Sequence, residues 1–151
     1  LSVISFLLSP AFYTPFSVKL GYFLEPILRL INVRYLSKQI GGDIKNKQAV
    51  EITYNRIPFK IFKQLDIAFT SGLKSLINIT CPTTIFATPH DHVISFKKIK
   101  SAFGKIKSKD KEFITLHDSY HVISQDNDLS LIIKHIQDEI SRLKKNKKAN
   151  D

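Results

Sequence analysis

The chain has 151 residues, of which 43% are hydrophobic and 24% are charged, values that are typical of a folded domain and argue against general disorder. Its net charge of +10 permits contact with an anionic partner, but the basic residues fall on predicted helix faces and in the tail, so we expect solvated surfaces and no nucleic-acid partner. The one cysteine, Cys81, excludes a disulfide framework and a cysteine metal cluster, and it predicts a reducing, cytoplasmic setting.

The first predicted element is a buried strand. Residues 3–8 form an apolar run that stops at Ser9-Pro10, and this run is far shorter than the roughly 20 residues of a membrane span. Apolar residues at helical spacing then predict a helix over 16–31, which Pro26 should kink or divide. The sequence Gly41-Gly42-Asp43 predicts a break after this helix.

Alternating helix and strand patterns follow the break. Pro58 is a good first-turn residue, and aromatic and aliphatic residues recur every three or four positions after it, which predicts a helix with one apolar face. Asp128 is a candidate helix cap. The predicted elements are a helix over 58–77, a strand over 79–88, a helix over 96–106, a strand over 112–116, a helix over 129–143 and a frayed tail over 144–151.

Two polar turns follow the last two predicted strands. Asp91 lies in Thr-Pro-His-Asp-His-Val-Ile (88–94), and His121 lies in His-Asp-Ser-Tyr-His-Val-Ile (117–123). Because the carboxyl ends of parallel strands meet at one edge of a sheet, we expect Asp91 and His121 to form an acid–base pair there. Asp118 is a competing acid, but it is too close to His121 in sequence to reach the imidazole ring easily.

These motifs resemble the carboxyl-terminal half of an α/β-hydrolase, and in particular the small bacterial carboxylesterases and monoacylglycerol-lipase-like serine hydrolases. Leu7-Leu8-Ser9-Pro10 is similar to the strand after the nucleophile elbow of that family, and Ile79-Thr-Cys-Pro-Thr-Thr-Ile is similar to the entry of its acid-bearing strand. His90-Asp91-His92-Val93-Ile94 resembles the acid turn, and Ser119-Tyr120-His121-Val122-Ile123 resembles the histidine turn. One departure is Tyr120, where small esterases usually have glycine.

The resemblance implies an α/β fold, namely the carboxyl-terminal part of an α/β-hydrolase, with three parallel strands, flanking helices and a helical cap insertion. It implies that Asp91 is the acid and His121 the base of a Ser-His-Asp triad that hydrolyses carboxylic esters without a cofactor. The implied divisions are a core strand at 1–11, a helical cap at 12–78, the carboxyl-terminal βαβα part of the core at 79–143 and a basic tail at 144–151.

The serine of such a triad is missing from the sequence. The motif Gly-x-Ser-x-Gly does not occur, since none of the five glycines has serine two residues later. We therefore expect the nucleophile to lie outside this chain and the chain alone to be inactive. Three interpretations are open: a fragment of a longer enzyme, the product of a split or decaying gene, or a chain that assembles with a separately encoded amino-terminal half. The alternative function is that of a catalytically dead fragment or a non-enzymatic lipid- or partner-binding module.

The apolar cap implies a small-molecule ester with an apolar acyl group as the substrate. Contact between the basic, aromatic cap and an anionic membrane surface is a less favoured alternative. The candidates to line the pocket mouth, for which ordinary packing inside the cap is the other interpretation, are Phe12, Tyr13, Phe16, Tyr22 and Phe23.

Histidines near the two turns also suggest a metal site. Zinc hydrolases combine such histidines with further ligands at fixed offsets, and the sequence lacks these ligands, so we expect no metal. The histidines concerned are His90, His92, His117 and His121.

Overall fold

Two sheets and four helices make up the part of the chain that the computed structural model describes, which is residues 3–37, 42–51, 54 and 56–150, with the backbone alone for 146–150. None of these helices is long and apolar enough to cross a membrane. The elements are β1 (Ser5–Leu8), α1 (Phe16–Leu30), β2 (Tyr35–Ser37), β3 (Arg56–Pro58), α2 (Ile61–Ser75), β4 (Thr83–Ala87), α3 (Phe96–Phe103), β5 (Lys111–Thr115) and α4 (Leu129–Asn150), with short 3-10 turns at Leu76–Asn78 and Ile123–Gln125.

The central sheet is parallel and has the strand order β1-β4-β5. Phe86 of β4 pairs with Leu8 of β1 on one side and with Ile114 of β5 on the other. All of β4 is buried, which suits its sequence of β-branched and apolar residues, because a central parallel strand is covered on both faces. The prediction of three parallel strands is confirmed, and their carboxyl ends lie at one edge of the sheet.

Helices cover both faces of this sheet. Ile85 and Ala87 point to one face, where they pack in a buried cluster with Ile99 of α3. Phe86 points to the opposite face, where it packs in a second cluster with Ile132 of α4. Successive side chains of a strand alternate between faces, so β4 alone contributes to both halves of the core.

The segment between β1 and β4 contains α1 and α2, which pack against each other, and an antiparallel hairpin of β2 and β3. A β-carbon at Gly21 would overlap the ring of Phe62, so the close approach of the two helices depends on glycine at this position. The sequence did not predict the hairpin, because each of its strands has only three residues and shows no alternation of burial.

The helices differ from the predictions in several details. Pro26 does not divide α1, since it lies in its exposed part, where solvent can bind the carbonyl group that the missing N–H leaves free. Pro58 ends β3 instead of beginning a helix, and α2 starts at Ile61. The backbone of α4 continues to Asn150, beyond the predicted end at residue 143, and its last turns are rich in lysine, a good helix former.

Asp128 directly precedes α4, as predicted, but its carboxylate serves another purpose. One oxygen accepts hydrogen bonds from the backbone N–H of Asp118 and from the hydroxyl of Ser119, at 2.9 Å each. The side chain therefore holds the turn after β5.

The two-sided core generates a stability prediction on α4. Ile132 is 2% exposed and its neighbour Ile133 is 46% exposed. Ile132→Ala should lower the free energy of unfolding by about 2–5 kcal/mol because it leaves a cavity against Phe86, whereas Ile133→Ala should change it by no more than about 0.5 kcal/mol. Urea unfolding followed by circular dichroism measures both values, and equal losses would contradict this packing.

Candidate active site

Asp91 and His121 lie together at the carboxyl edge of the sheet. Asp91 follows the end of β4, and His121 follows the end of β5. The imidazole Nδ1 of His121 lies 2.8 Å from Oδ2 of Asp91. The structure therefore brings the predicted acid and the predicted base into hydrogen-bond contact across 30 residues of sequence.

The Asp91 side chain is fully buried. Its Oδ1 accepts hydrogen bonds from the backbone N–H groups of Val93, at 2.8 Å, and Ile94, at 2.7 Å. A buried carboxylate is costly unless its lone pairs are satisfied, and these two donors satisfy one oxygen while Oδ2 faces the imidazole. The acid turn thus fixes the direction in which Asp91 presents its second oxygen.

His121 is half-buried, with 29% of its side chain exposed. The hydrogen bond to Asp91 raises the pKa of His121, burial opposes the rise, and the charges of Asp91 and Asp43 add to it. Because the folded-state pKa is raised, the bond stabilises the fold fully below the unfolded-state pKa of about 6.5, and this contribution disappears as the pH rises through the folded-state pKa. With Nδ1 engaged by the acid, Nε2 is the ring nitrogen available to exchange a proton with a reacting group.

A further hydrogen bond joins the acid turn to the histidine turn. The hydroxyl of Thr88 donates to the carbonyl of Ser119 at 2.8 Å and accepts from the backbone N–H of His90 at 3.1 Å. Thr88 and Ser119 are both completely buried. The two turns therefore form one hydrogen-bonded unit, so the separation of Asp91 and His121 is set by the loops as well as by the sheet.

Asp126 attaches a distant segment to this unit. Its carboxylate accepts hydrogen bonds of 2.8–2.9 Å from the backbone N–H groups of Lys45, Asn46, Tyr120 and Asn127. Burial alone would raise the pKa of Asp126, but these four backbone hydrogen bonds lower it. Asp126 thereby attaches the chain after the predicted break to the histidine turn, a role for which no local sequence pattern exists.

Asp43 makes a second attachment. Its carboxylate accepts hydrogen bonds from the backbone N–H groups of His92, at 3.0 Å, and His121, at 3.2 Å, and lies 2.7 Å from Nδ1 of His92. Burial works to raise the pKa of Asp43, but the hydrogen bonds from the His92 side chain and from both backbone groups outweigh it and lower the pKa. The sequence indicated only a chain break at Asp43, so this contact was missed.

Asp118, the competing acid, points elsewhere. Its carboxylate is 58% exposed and pairs with the ammonium group of Lys45 at 2.5 Å. This arrangement supports Asp91 as the partner of His121.

The five aromatic residues predicted for the pocket mouth fall into two groups. Phe12 and Tyr13 are partly buried and pack against the core cluster that contains Ile94, whereas Phe16, Tyr22 and Phe23 are exposed on α1. A cavity of about 380 Å³ lies near the end of α1 and contains none of the five. Its lining is Glu25, Arg29, Val33, Arg34, Tyr35, Pro58, Phe59 and Lys60. A shared role for all five in substrate binding stays a prediction.

The four histidines considered as zinc ligands do not gather into a metal-binding group in the described ranges. His92 and His121 each bind a carboxylate, and His90 and His117 are exposed. Three side chains on β5 and α4 do lie close enough together to bind a metal ion, namely Glu112, His135 and Glu139. The Glu139 carboxylate of that cluster is already bound by Arg142 at 2.7 Å.

The acid–base contact generates a titration prediction. His121 should titrate with a pKa above its usual value of about 6.5, and Asp91→Asn should lower this pKa because the charged partner is lost. Asp118→Asn is the matched control and should leave it nearly unchanged, since Asp118 pairs with Lys45. NMR titration of the imidazole resonances measures the three values. A larger shift of the His121 pKa in Asp118→Asn than in Asp91→Asn would show that Asp118, and not Asp91, is the partner of His121.

Known proteins are similar to this chain in sequence and in fold. No protein-family model matches the chain. A thermostable monoacylglycerol lipase of Bacillus sp. (strain H-257) is 36% identical over 101 residues, which cover 67% of this chain and 40% of that lipase. The chain therefore spans less than half of this curated relative.

Solved structures of lipolytic enzymes are similar to this chain over a larger part of its length. A structure reported for the metagenome-derived lipolytic enzymes LipS and LipT matches with a TM-score of 0.81 and 25% identity, over 92% of this chain and 55% of the other. The monoacylglycerol lipase of Paleococcus ferrophilus matches with a TM-score of 0.67 and 21% identity, over 90% and 57%, and shows the fold alone. The chain is thus an α/β-hydrolase chain that corresponds to the carboxyl-terminal half of that fold and resembles its monoacylglycerol-lipase-like members.

Proposed function

We propose that this chain supplies the acid and the base of a Ser-His-Asp triad in a hydrolase of carboxylic esters, of the carboxylesterase or acylglycerol-lipase type. The observation that carries the proposal is the 2.8 Å contact between Nδ1 of His121 and the fully buried carboxylate of Asp91. A histidine held in this way has a fixed tautomer and orientation, which general-base catalysis requires.

The chemistry divides between the two residues. His121 takes the proton of a serine hydroxyl through Nε2 as that hydroxyl attacks the ester carbonyl, and later returns the proton to the leaving alcohol. Asp91 keeps the proton of the neutral ring on Nδ1 and stabilises the imidazolium ion that forms. The raised pKa of His121 strengthens it as a base, and the neutral form that does this work predominates above that pKa.

The serine is proposed to come from outside this chain. Ser9, at the end of β1, has a buried hydroxyl, and the buried Ser119 binds Asp128 through its hydroxyl, so neither is presented to a substrate. Within the described residues β1 pairs only with β4, which leaves its other edge open to a further strand. Both observations support a partner segment, whether continuous with this chain or separately encoded, that carries the nucleophile.

The substrate is proposed to be a lipid ester with an apolar acyl group. This rests on the 36% identical relative, whose name assigns it monoacylglycerol as substrate. Phe12 and Tyr13 are the best placed of the predicted lining residues, because they pack against the cluster that includes Ile94, whose backbone N–H binds Asp91.

A complementation assay tests this function. The chain alone should show no labelling by a fluorophosphonate probe and no hydrolysis of p-nitrophenyl butyrate or monoacylglycerol. Combined with an amino-terminal half that carries a Gly-x-Ser-x-Gly elbow, it should hydrolyse both esters, and Asp91→Asn should reduce kcat on the order of 10³–10⁴-fold because the histidine loses its correct tautomer. Asp118→Asn is the control, with kcat near the wild-type value. Labelling of the chain alone, or an active Asp91→Asn assembly, would contradict the proposal.

One observation favours the second candidate, a lipid-binding module without catalysis. Large apolar side chains follow one another along α1 at steps of four and three residues, which places them on a single helix face. Three of them, Phe16, Phe23 and Leu30, are 79%, 75% and 86% exposed. Such a face suits insertion into the interface of a lipid layer.

Vesicle binding tests this candidate. Phe16→Ser with Phe23→Ser should weaken binding to phosphatidylglycerol vesicles at least tenfold, because about 1.5 kcal/mol or more is lost for each apolar side chain that no longer inserts. Leu131→Ser with Ile133→Ser on α4, two residues that are also partly exposed, is the matched control. Equal losses in both double variants, or no binding by the wild-type chain, would count against a lipid-binding face on α1.

A further inference from the structure

We propose that Asp43 is a positioning residue for His121, so that the described stretch around Asp43, which lies between α1 and α2, forms part of the active site. This inference rests on the proposed function, because it assigns Asp43 a role in holding the proposed base. It is carried by hydrogen bonds that link Asp43 to residues 49 and 78 positions away in the sequence.

Asp43 holds the backbone on both sides of the His121 α-carbon. Its carboxylate accepts from the His121 N–H at 3.2 Å, and its main-chain carbonyl accepts from the Val122 N–H at 3.1 Å. Two consecutive peptide groups are therefore fixed by one residue. The direction in which a side chain leaves the backbone follows from these peptide planes, so the placement of the imidazole depends on Asp43.

The same carboxylate also holds the acid turn. Oδ2 of Asp43 accepts from the His92 N–H at 3.0 Å, and His92 immediately follows the catalytic acid Asp91. One oxygen atom thus binds the backbone next to the acid and the backbone of the base. An error of about 1 Å in such a pair can cost on the order of 10² in rate, so a shared anchor has a direct effect on catalysis.

His92 and Tyr120 complete the contact. The His92 ring lies 2.7 Å from the second Asp43 oxygen and meets the ring of Tyr120 edge-on, with centroids 4.6 Å apart. Tyr120 occupies the position where the resemblance leads us to expect glycine. Its ring packs against the histidine that binds Asp43, which explains how this histidine turn accommodates a large side chain.

Asp126 makes the role of Asp43 testable. It binds the N–H groups of Lys45 and Asn46 independently of Asp43. The segment after Asp43 therefore keeps its attachment to the histidine turn when the Asp43 side chain is changed. A variant at position 43 removes the anchor of His121 without releasing the whole segment.

The test compares Asp43→Ala with Asp43→Asn in the full chain. Asn keeps one oxygen that accepts from both N–H groups, but it loses the charge and replaces the oxygen that faces His92 by an NH2 group, whereas Ala loses both oxygens. The downfield NMR resonance of the Nδ1–H of His121, which reports its hydrogen bond to Asp91, should persist in Asp43→Asn and be lost in Asp43→Ala. In the assembled hydrolase, kcat should fall at least tenfold more in Asp43→Ala than in Asp43→Asn, with KM within twofold.

Two results would overturn the positioning role. One is an unchanged Nδ1–H resonance in a folded Asp43→Ala variant. The other is amide exchange of His121 and Val122 in the wild-type chain as fast as in an unfolded peptide, a measurement that needs no variant to fold. Both readouts are independent of turnover, so an inactive wild-type assembly would refute the proposed function and leave the role of Asp43 to be decided by NMR.

Discussion

The buried carboxylate of Asp91 is the constraint around which the carboxyl edge of the sheet is organised. A carboxylate that is shielded from solvent requires hydrogen-bond donors, and here the donors are the backbone N–H groups of Val93 and Ile94 and the imidazole of His121. The first two come from its own turn, and the third comes from a different strand. The contact between Asp91 and His121 forms only if both turns are held in fixed relative positions, which accounts for the concentration of hydrogen bonds at this edge.

Several aspartate side chains hold the loops at this edge of the sheet. Asp43 and Asp126 each use a carboxylate to bind backbone N–H groups, as Asp91 does, and Asp128 binds one backbone N–H and one hydroxyl. Loops have few backbone partners of their own, and one carboxylate with two oxygens can satisfy up to four such donors. In a chain with a net charge of +10, most of the few acidic groups at this edge are therefore structural.

The sequence predicted the sheet and the proximity of Asp91 and His121 because both have local signatures. β4 is a continuous run of β-branched and apolar residues that precedes Asp91, and a shorter run of this kind, over 113–116, precedes His121. The contacts of Asp43 and Asp126 have no such signature. They join side chains to backbone groups as far as 78 and 81 residues away, and neither hydrophobic periodicity nor turn chemistry encodes a contact of that kind. The hairpin of β2 and β3 was missed because its strands are too short to show a period.

The open edge of β1 has a thermodynamic consequence. If a further strand pairs with it, the folding of this chain and the binding of that strand become linked equilibria, and the apparent stability rises with the logarithm of the partner concentration when the strand belongs to a separate chain. When the strand belongs to the same chain, the linkage is intramolecular and independent of concentration. The concentration dependence of the melting temperature in the assembled state thus distinguishes a two-chain assembly from a single longer chain without reference to catalysis.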